Sequence, residues 1–180
     1  AQKGSSTYII DGDDKKLLVN RPINSKNLYQ EFCIIGSGSK MGVINYNGDT
    51  IMPTSYRNLR YLGYGLFYHQ PQQSESKGEI ITLSGVLVEK NIATALPFSN
   101  GFSMVLKKGK WGVIDADGIW VAEPKYDWVK PYENNFARAG TYKTRYIVNA
   151  NGVFLTDANF EKLEFEPLAQ LYRVELGKKV

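Results

Sequence analysis

The chain has one cysteine and one histidine among its 180 residues. The lone thiol, Cys33, excludes an internal disulfide framework and a cysteine-rich zinc site, so the core is expected to hold by packing alone. The lone imidazole, His69, restricts acid-base chemistry, because a histidine base needs a nucleophile and an orienting carboxylate assembled around it. No apolar run approaches the roughly 20 residues that a helix needs to cross a bilayer, so no membrane span is expected. Charge of one sign is also scarce. The net charge is +4, and no aromatic-basic motif of the nucleic-acid-binding folds accompanies it, so nucleic acid is not the expected partner.

What the chain has instead is aromatic residues and glycine: 12 Tyr, 8 Phe and 3 Trp beside 17 Gly. That combination favours strands joined by tight turns. The hydrophobic share of 43% and charged share of 22% are ordinary for a globular domain and argue against disorder. The length suits one domain, residues 1–180. The opening Ala1-Gln2-Lys3-Gly4-Ser5 has neither the charged nor the apolar region of a secretion signal and resembles a chain after signal cleavage. An exported setting, periplasm or cell surface, is expected ahead of a cytoplasmic one.

A repeat organises the chain. The positions Asp14, Gly48, Gly85, Gly118 and Gly152 are spaced by 34, 37, 33 and 34 residues. Five and four places before them stand Ile9-Ile10, Val43-Ile44, Ile80-Ile81, Val113-Ile114 and Ile147-Val148. Three places before stand Asp11, Asn45, Thr82, Asp115 and Asn149, side chains that accept hydrogen bonds from turn amides. Leu17, Ile51, Val88, Val121 and Leu155 follow three places after, and Leu59, Leu96, Val129 and Leu163 at eleven in the last four copies. Tyr56, Tyr126 and Phe160 stand at eight, while Phe32, Leu66, Phe102, Phe136 and Leu171 stand near eighteen.

These columns predict five copies, approximately 7–39, 40–77, 78–109, 110–144 and 145–180. Each contains a β-branched strand A, an Asx-Gly turn, a strand B, an irregular link often carrying proline, and a strand leading into the next strand A. Each Ile/Val pair is expected in a strand with at least one member buried. The fold class is therefore all-β, with antiparallel hairpin repeats stacked into an open, curved or solenoid-like array. A small five-bladed β-propeller is the alternative.

Lys110-Trp111-Gly112-Val113-Ile114-Asp115-Ala116-Asp117-Gly118, with Pro124, Tyr126, Phe136 and Ala137, resembles a full motif of the WG repeat family. Lys40-Met41-Gly42-Val43-Ile44-Asn45-Tyr46-Asn47-Gly48, with Pro53 and Tyr56, is a second copy with Met for Trp. The other copies have Thr7-Tyr8, Gly78-Glu79 and Arg145-Tyr146 in place of the Trp-Gly pair. The resemblance implies bacterial origin and often an exported setting. It supplies no catalytic residues.

Several local patterns suggest chemistry. Ser37-Gly38-Ser39-Lys40 and Ser74-Glu75-Ser76-Lys77 match Ser-x-x-Lys, but that chemistry needs a helix and partner motifs, and both matches fall in polar turns. Asp11-Gly12-Asp13-Asp14 and Asp115-Ala116-Asp117-Gly118 have the oxygen ligands of a calcium loop, yet other copies replace them with Asn, Thr and Ser, as turns permit. No metal or cofactor is expected. His69 is expected to lie on the solvated insertion that begins at Gln70.

Two surfaces are candidates for binding. Trp128 occupies a column that holds Asn58, Ala95 and Lys162 elsewhere, so it should face water, whereas Trp111 should be core. With Trp120, Tyr126 and Tyr132, Trp128 is expected to form an aromatic platform for a sugar or peptide. The turns entering strand A carry Lys40, Lys77, Lys107, Lys108, Lys110 and Lys143, and stacking should align them as a basic stripe for an anionic partner. The expected function is a noncatalytic binding or scaffolding module with a protein or glycan partner. The alternative is a hydrolase with a carboxylate site assembled between repeats.

Overall fold

A computed structural model describes the backbone of residues 7–10, 16–19, 28–37, 39–71, 77–133, 136–142, 145–149, 160–166 and 171–176, and side chains of 28–36, 39–71, 77–130, 138–142, 146 and 173. All regular structure described is strand. The first eight strands are β1 (Thr7–Ile10), β2 (Lys16–Val19), β3 (Phe32–Ser37), β4 (Lys40–Asn45), β5 (Thr50–Tyr56), β6 (Arg60–Gly63), β7 (Leu66–His69) and β8 (Gly78–Thr82). Then come β9 (Leu87–Ala95), β10 (Phe102–Lys107), β11 (Lys110–Asp115), β12 (Trp120–Tyr126), β13 (Trp128–Glu133), β14 (Phe136–Gly140), β15 (Arg145–Asn149), β16 (Phe160–Glu166) and β17 (Leu171–Leu176).

Every Ile/Val pair lies in a strand, namely β1, β4, β8, β11 and β15. The three pairs with described side chains are wholly or almost wholly buried. Two adjacent residues in a strand point to opposite faces, so burying both requires cover on both sides. In β4, Val43 packs with Phe32, Ile34 and Met52 on one face, and Ile44 packs with Cys33 on the other. The column near eighteen is equally regular: Phe32, Leu66, Phe102, Phe136 and Leu171 each open a strand.

The pairing is antiparallel throughout. β3–β4–β5 and β13–β14–β15 are three-stranded sheets, β9 to β12 stand side by side in chain order, and β1–β2, β7–β8 and β16–β17 pair as hairpins. None of the described sheets closes into a barrel. The chain divides into two compact units, Ala1–Tyr61 with Gly65–Lys90, and Leu62–Tyr64 with Asn91–Val180. Each has its own core. That of the first is built on Phe32, Ile34, Val43, Met52, Leu59, Phe67 and Ile81; that of the second on Phe102, Met104, Val113, Ala122, Tyr126 and Ala139.

The second and fourth copies are the same object 70 residues apart. Met41 pairs with Tyr56, Val43 with Met52 and Ile44 with Thr50; Trp111 pairs with Tyr126, Val113 with Ala122 and Ile114 with Trp120. In both, the register slips twice within this short stretch, so strand B carries extra residues and bulges toward strand A. The glycine of the Trp-Gly pair is what allows that approach. A Cβ on Gly112 would lie 2.6 Å from the Ala122 carbonyl oxygen and 2.9 Å from the Pro124 nitrogen. One on Gly42 would lie 2.6 Å from the Met52 oxygen and 2.8 Å from the Thr54 nitrogen. The conformation at these glycines is ordinary, so the requirement is one of space.

The link after strand B differs from expectation. It contains strands, β6 in the second copy and β13 in the fourth. Buried Leu59 and half-buried Val129, from the apolar column at eleven, anchor these segments to their cores.

Candidate functional site

The three A–B turns among the described residues share one construction. Asn45 N–H donates to the Asp49 oxygen at 3.0 Å and Gly48 N–H to the Asn45 oxygen at 3.2 Å; Thr82 with Gly85 and Val86, and Asp115 with Gly118 and Ile119, repeat both bonds at 2.9 to 3.0 Å. Gly48, Gly85 and Gly118 take φ of 91°, 81° and 80°, the left-handed position of a three-residue hairpin loop with a glycine bulge. Side chains complete it. Asn45 Oδ1 accepts from the amides of Asn47 and Asp49, Asp115 Oδ1 from those of Asp117 and Ile119, and Thr82 Oγ1 from that of Val86. The acidic motif at Asp115 is thus engaged in turn formation, as the polar replacements in other copies suggest.

The proposed aromatic platform is not assembled as expected. Tyr126 is 0% exposed and sits in the second core, with its ring 5.3 Å from that of Tyr146; burial, then Tyr146, raises its phenol above the ordinary range. Tyr56 of the same column likewise packs against the first core, and the Phe160 side chain lies outside the described residues. Trp128 is half-buried, as is Trp111, which packs against the same core, so the contrast expected between them is absent. Trp120 is also half-buried. Its Cζ3 is the atom 2.6 Å from where a Gly112 Cβ would lie, so the indole covers the bare backbone there. The Tyr132 side chain lies outside the described residues.

The basic residues divide by turn. Lys40 is exposed at the β3–β4 turn and Lys77 is exposed just before β8, both in the first unit. Lys107, Lys108 and Lys110 cluster in the second unit at the β10–β11 turn, where Lys107 pairs with Lys110 across a two-residue loop. That loop is Lys108-Gly109, with φ of 52° and 75°, the twist that closes a tight hairpin. Lys107 Nζ stands 6.0 Å from the centre of the Trp120 ring, and Lys110 Nζ forms an ion pair with Asp127 Oδ1. Lys143 lies outside the described residues.

Two neighbours of this turn escaped the sequence reading. Asp127 Oδ2 accepts the Tyr142 amide at 3.0 Å, so one carboxylate links the β10–β11 turn to the turn after β14. The hydrogen bond from Lys110 holds this carboxyl below its ordinary pKa. Tyr142 itself is 94% exposed. Its signal was its position beside Lys143, in the turn that corresponds to Lys108-Gly109.

His69 requires a correction. It ends β7 inside the first unit, 6% exposed, with Nε2 3.2 Å from Glu79 Oε2 and its ring edge-on to Tyr56 at 5.0 Å. The apolar Leu66-Phe67-Tyr68 run carries the strand one residue further than the polar sequence after it suggests. Burial pushes the imidazole below its ordinary range, and Glu79 offsets this only in part. The unfolded chain therefore takes up a proton near pH 6.5 that the folded chain resists. The associated stability is present above that pH and is lost as pH falls through the lower folded value. His69→Ala is expected to cost about 2 kcal/mol near neutrality. It should also flatten the fall in urea midpoint between about pH 7 and pH 5, which paired urea titrations measure.

Residues 86–111 and 111–140 match the WG containing repeat. No curated protein matches the chain. Among solved structures, the chain is similar to Hsv2p of Kluyveromyces lactis, with 12% identity and a TM-score of 0.46 over 81% of this chain and 53% of that one. It is also similar to Hsv2 of Kluyveromyces marxianus, with 12% identity and a TM-score of 0.45 over 91% of this chain and 73% of that one. The chain spans about half the length of the Kluyveromyces lactis protein. The matched stretch contains Trp111-Gly112 with the pinch that this glycine permits, and residues 86–140 thus carry two WG containing repeats.

Proposed function

We propose that the chain is a noncatalytic binding or scaffolding module that presents its repeat turns to a protein or glycan partner. The recurrent A–B turn carries this reading. Its backbone bonds are the same at Asn45, Thr82 and Asp115, while the positions around it change from Asn47 and Asp49 to Ser84 and Val86 to Asp117 and Ile119. A framework fixed by main-chain bonds with interchangeable exposed side chains suits recognition. Three of the described titratable groups are engaged structurally: His69 with Glu79 beneath Tyr56, Asp115 with turn amides, and Asp127 with Lys110.

The test is capture of the chain on arrays of glycans and peptides, followed by mass spectrometry of the bound member. Retention of a defined member with its mass unchanged is expected. Conversion of the captured ligand, or retention on no array member, would overturn the proposal.

A further inference from the structure

Copies two and four share one ladder, so residues that differ at matched positions are not required by the framework. On the face of β10–β11–β12 turned away from Val113 and Tyr126, where Val105 and Ile114 are also buried, Val105 pairs with Gly112 and Lys107 follows Val105 by two places, hence on the same side. Trp120 lies over Gly112 on that side, with Lys107 Nζ 6.0 Å from its ring centre. Lys108 is exposed at the loop tip, and Lys110 closes the hairpin beside Asp127. Seventy residues earlier, the matched positions of Lys107, Lys108 and Trp120 hold Ser37, Gly38 and Thr50. The lysine-tryptophan edge, at the hairpin that leads into the fourth copy and in that copy's strand B, is therefore an addition that the fold itself does not call for.

We infer that this edge of the second unit, Lys107, Lys108 and Trp120 with Asp127 beside them, is a binding site for an acidic glycan. The inference rests on the binding-module reading and names its ligand class. An indole presents a flat apolar face to the C–H face of a sugar ring. The ammonium groups supply charge for a carboxylate or sulfate as mobile point donors. Asp127, ion-paired through Oδ1 with Lys110 and accepting the Tyr142 amide at Oδ2, offsets part of the lysine charge, so the edge suits a ligand that carries hydroxyls beside its anions. The exposed Tyr142 ring, tied to Asp127 through its amide, flanks the same turn.

The experiment measures binding of the whole chain to polygalacturonate, with dextran, poly-glutamate and single-stranded DNA and RNA oligonucleotides as comparators. Two variants carry the residues found 70 positions earlier: Lys107→Ser with Lys108→Gly, and Trp120→Thr. The matching ladder of β3–β4–β5 carries Ser37 and Thr50 at these positions, and the lysine variant changes only the hairpin end. Binding to polygalacturonate above all comparators is expected. Each variant should weaken it by about tenfold, and raising salt from about 50 to 300 mM should weaken wild-type binding several-fold. Unchanged affinity in the lysine variant, or equal binding to poly-glutamate or either oligonucleotide, would overturn the site. If polygalacturonate is not bound while another array member is retained, this inference falls and the binding module stands. If nothing is retained, both fall.

Discussion

Gly112→Ala is expected to lower the melting temperature by about 10 °C, corresponding to about 3 kcal/mol lost to overpacking, whereas Gly36→Ala is expected to leave it nearly unchanged. The comparison isolates space from conformation. Both glycines lie in strands, and alanine ordinarily favours a strand over glycine by roughly 0.5–1 kcal/mol. At Gly36 an added Cβ would meet only the Lys40 oxygen at 3.9 Å, an ordinary contact. At Gly112 it would meet the main chain of the bulged strand at 2.6 and 2.9 Å and the Trp120 ring at 2.6 Å. The ring can turn away, but the main chain is held by pairing on both sides of the bulge, at Val113 with Ala122 and Trp111 with Tyr126. Thermal melts of the two variants beside wild type decide it, and equal melting temperatures would remove the steric account of the Trp-Gly signature.

Ile114→Asp is expected to be more damaging, at about 4–5 kcal/mol, enough to prevent folding of a marginally stable unit. Ile114 is 0% exposed and faces Ser103 across β10–β11 and Trp120 across β11–β12. Neither partner supplies a positive charge, so the carboxylate would be desolvated without an ion pair or would remain protonated at the cost of a shifted pKa. Ile114→Val, which removes one methylene, should cost only about 1 kcal/mol. Urea denaturation of both variants measures the gap, and similar midpoints would place Ile114 outside the core.

The fold was legible wherever a single physical demand recurs at each repeat. The Ile/Val pairs announced a strand with at least one member buried, and in the three pairs with described side chains both are; the residues at eighteen each open a strand. Tyr126 carries such a signal too, but a different one from sugar-facing chemistry: it fills the second core, and Tyr56 of the same column packs against the first. His69 was misread because a polar insertion follows it immediately. The opposing clue was Glu79, which stands where Gly42 and Gly112 stand in other copies and faces His69 across the β7–β8 hairpin. Strands β6 and β13 were hidden because only one apolar column marks that link. The Asp127 connection joins residues 17 and 15 positions apart through Lys110 and the Tyr142 amide, and nothing periodic records it.

The account turns on strand B bulging over a bare glycine in register with Trp111, and cross-strand nuclear Overhauser contacts report that register directly. Contacts of Trp111 with Tyr126 and Val113 with Ala122, repeated at Met41 with Tyr56 and Val43 with Met52, are the predicted result. An uninterrupted ladder continuing from Ile114 opposite Trp120 and Ile44 opposite Thr50 would instead set Trp111 opposite Glu123 and Met41 opposite Pro53. Those contacts would contradict it.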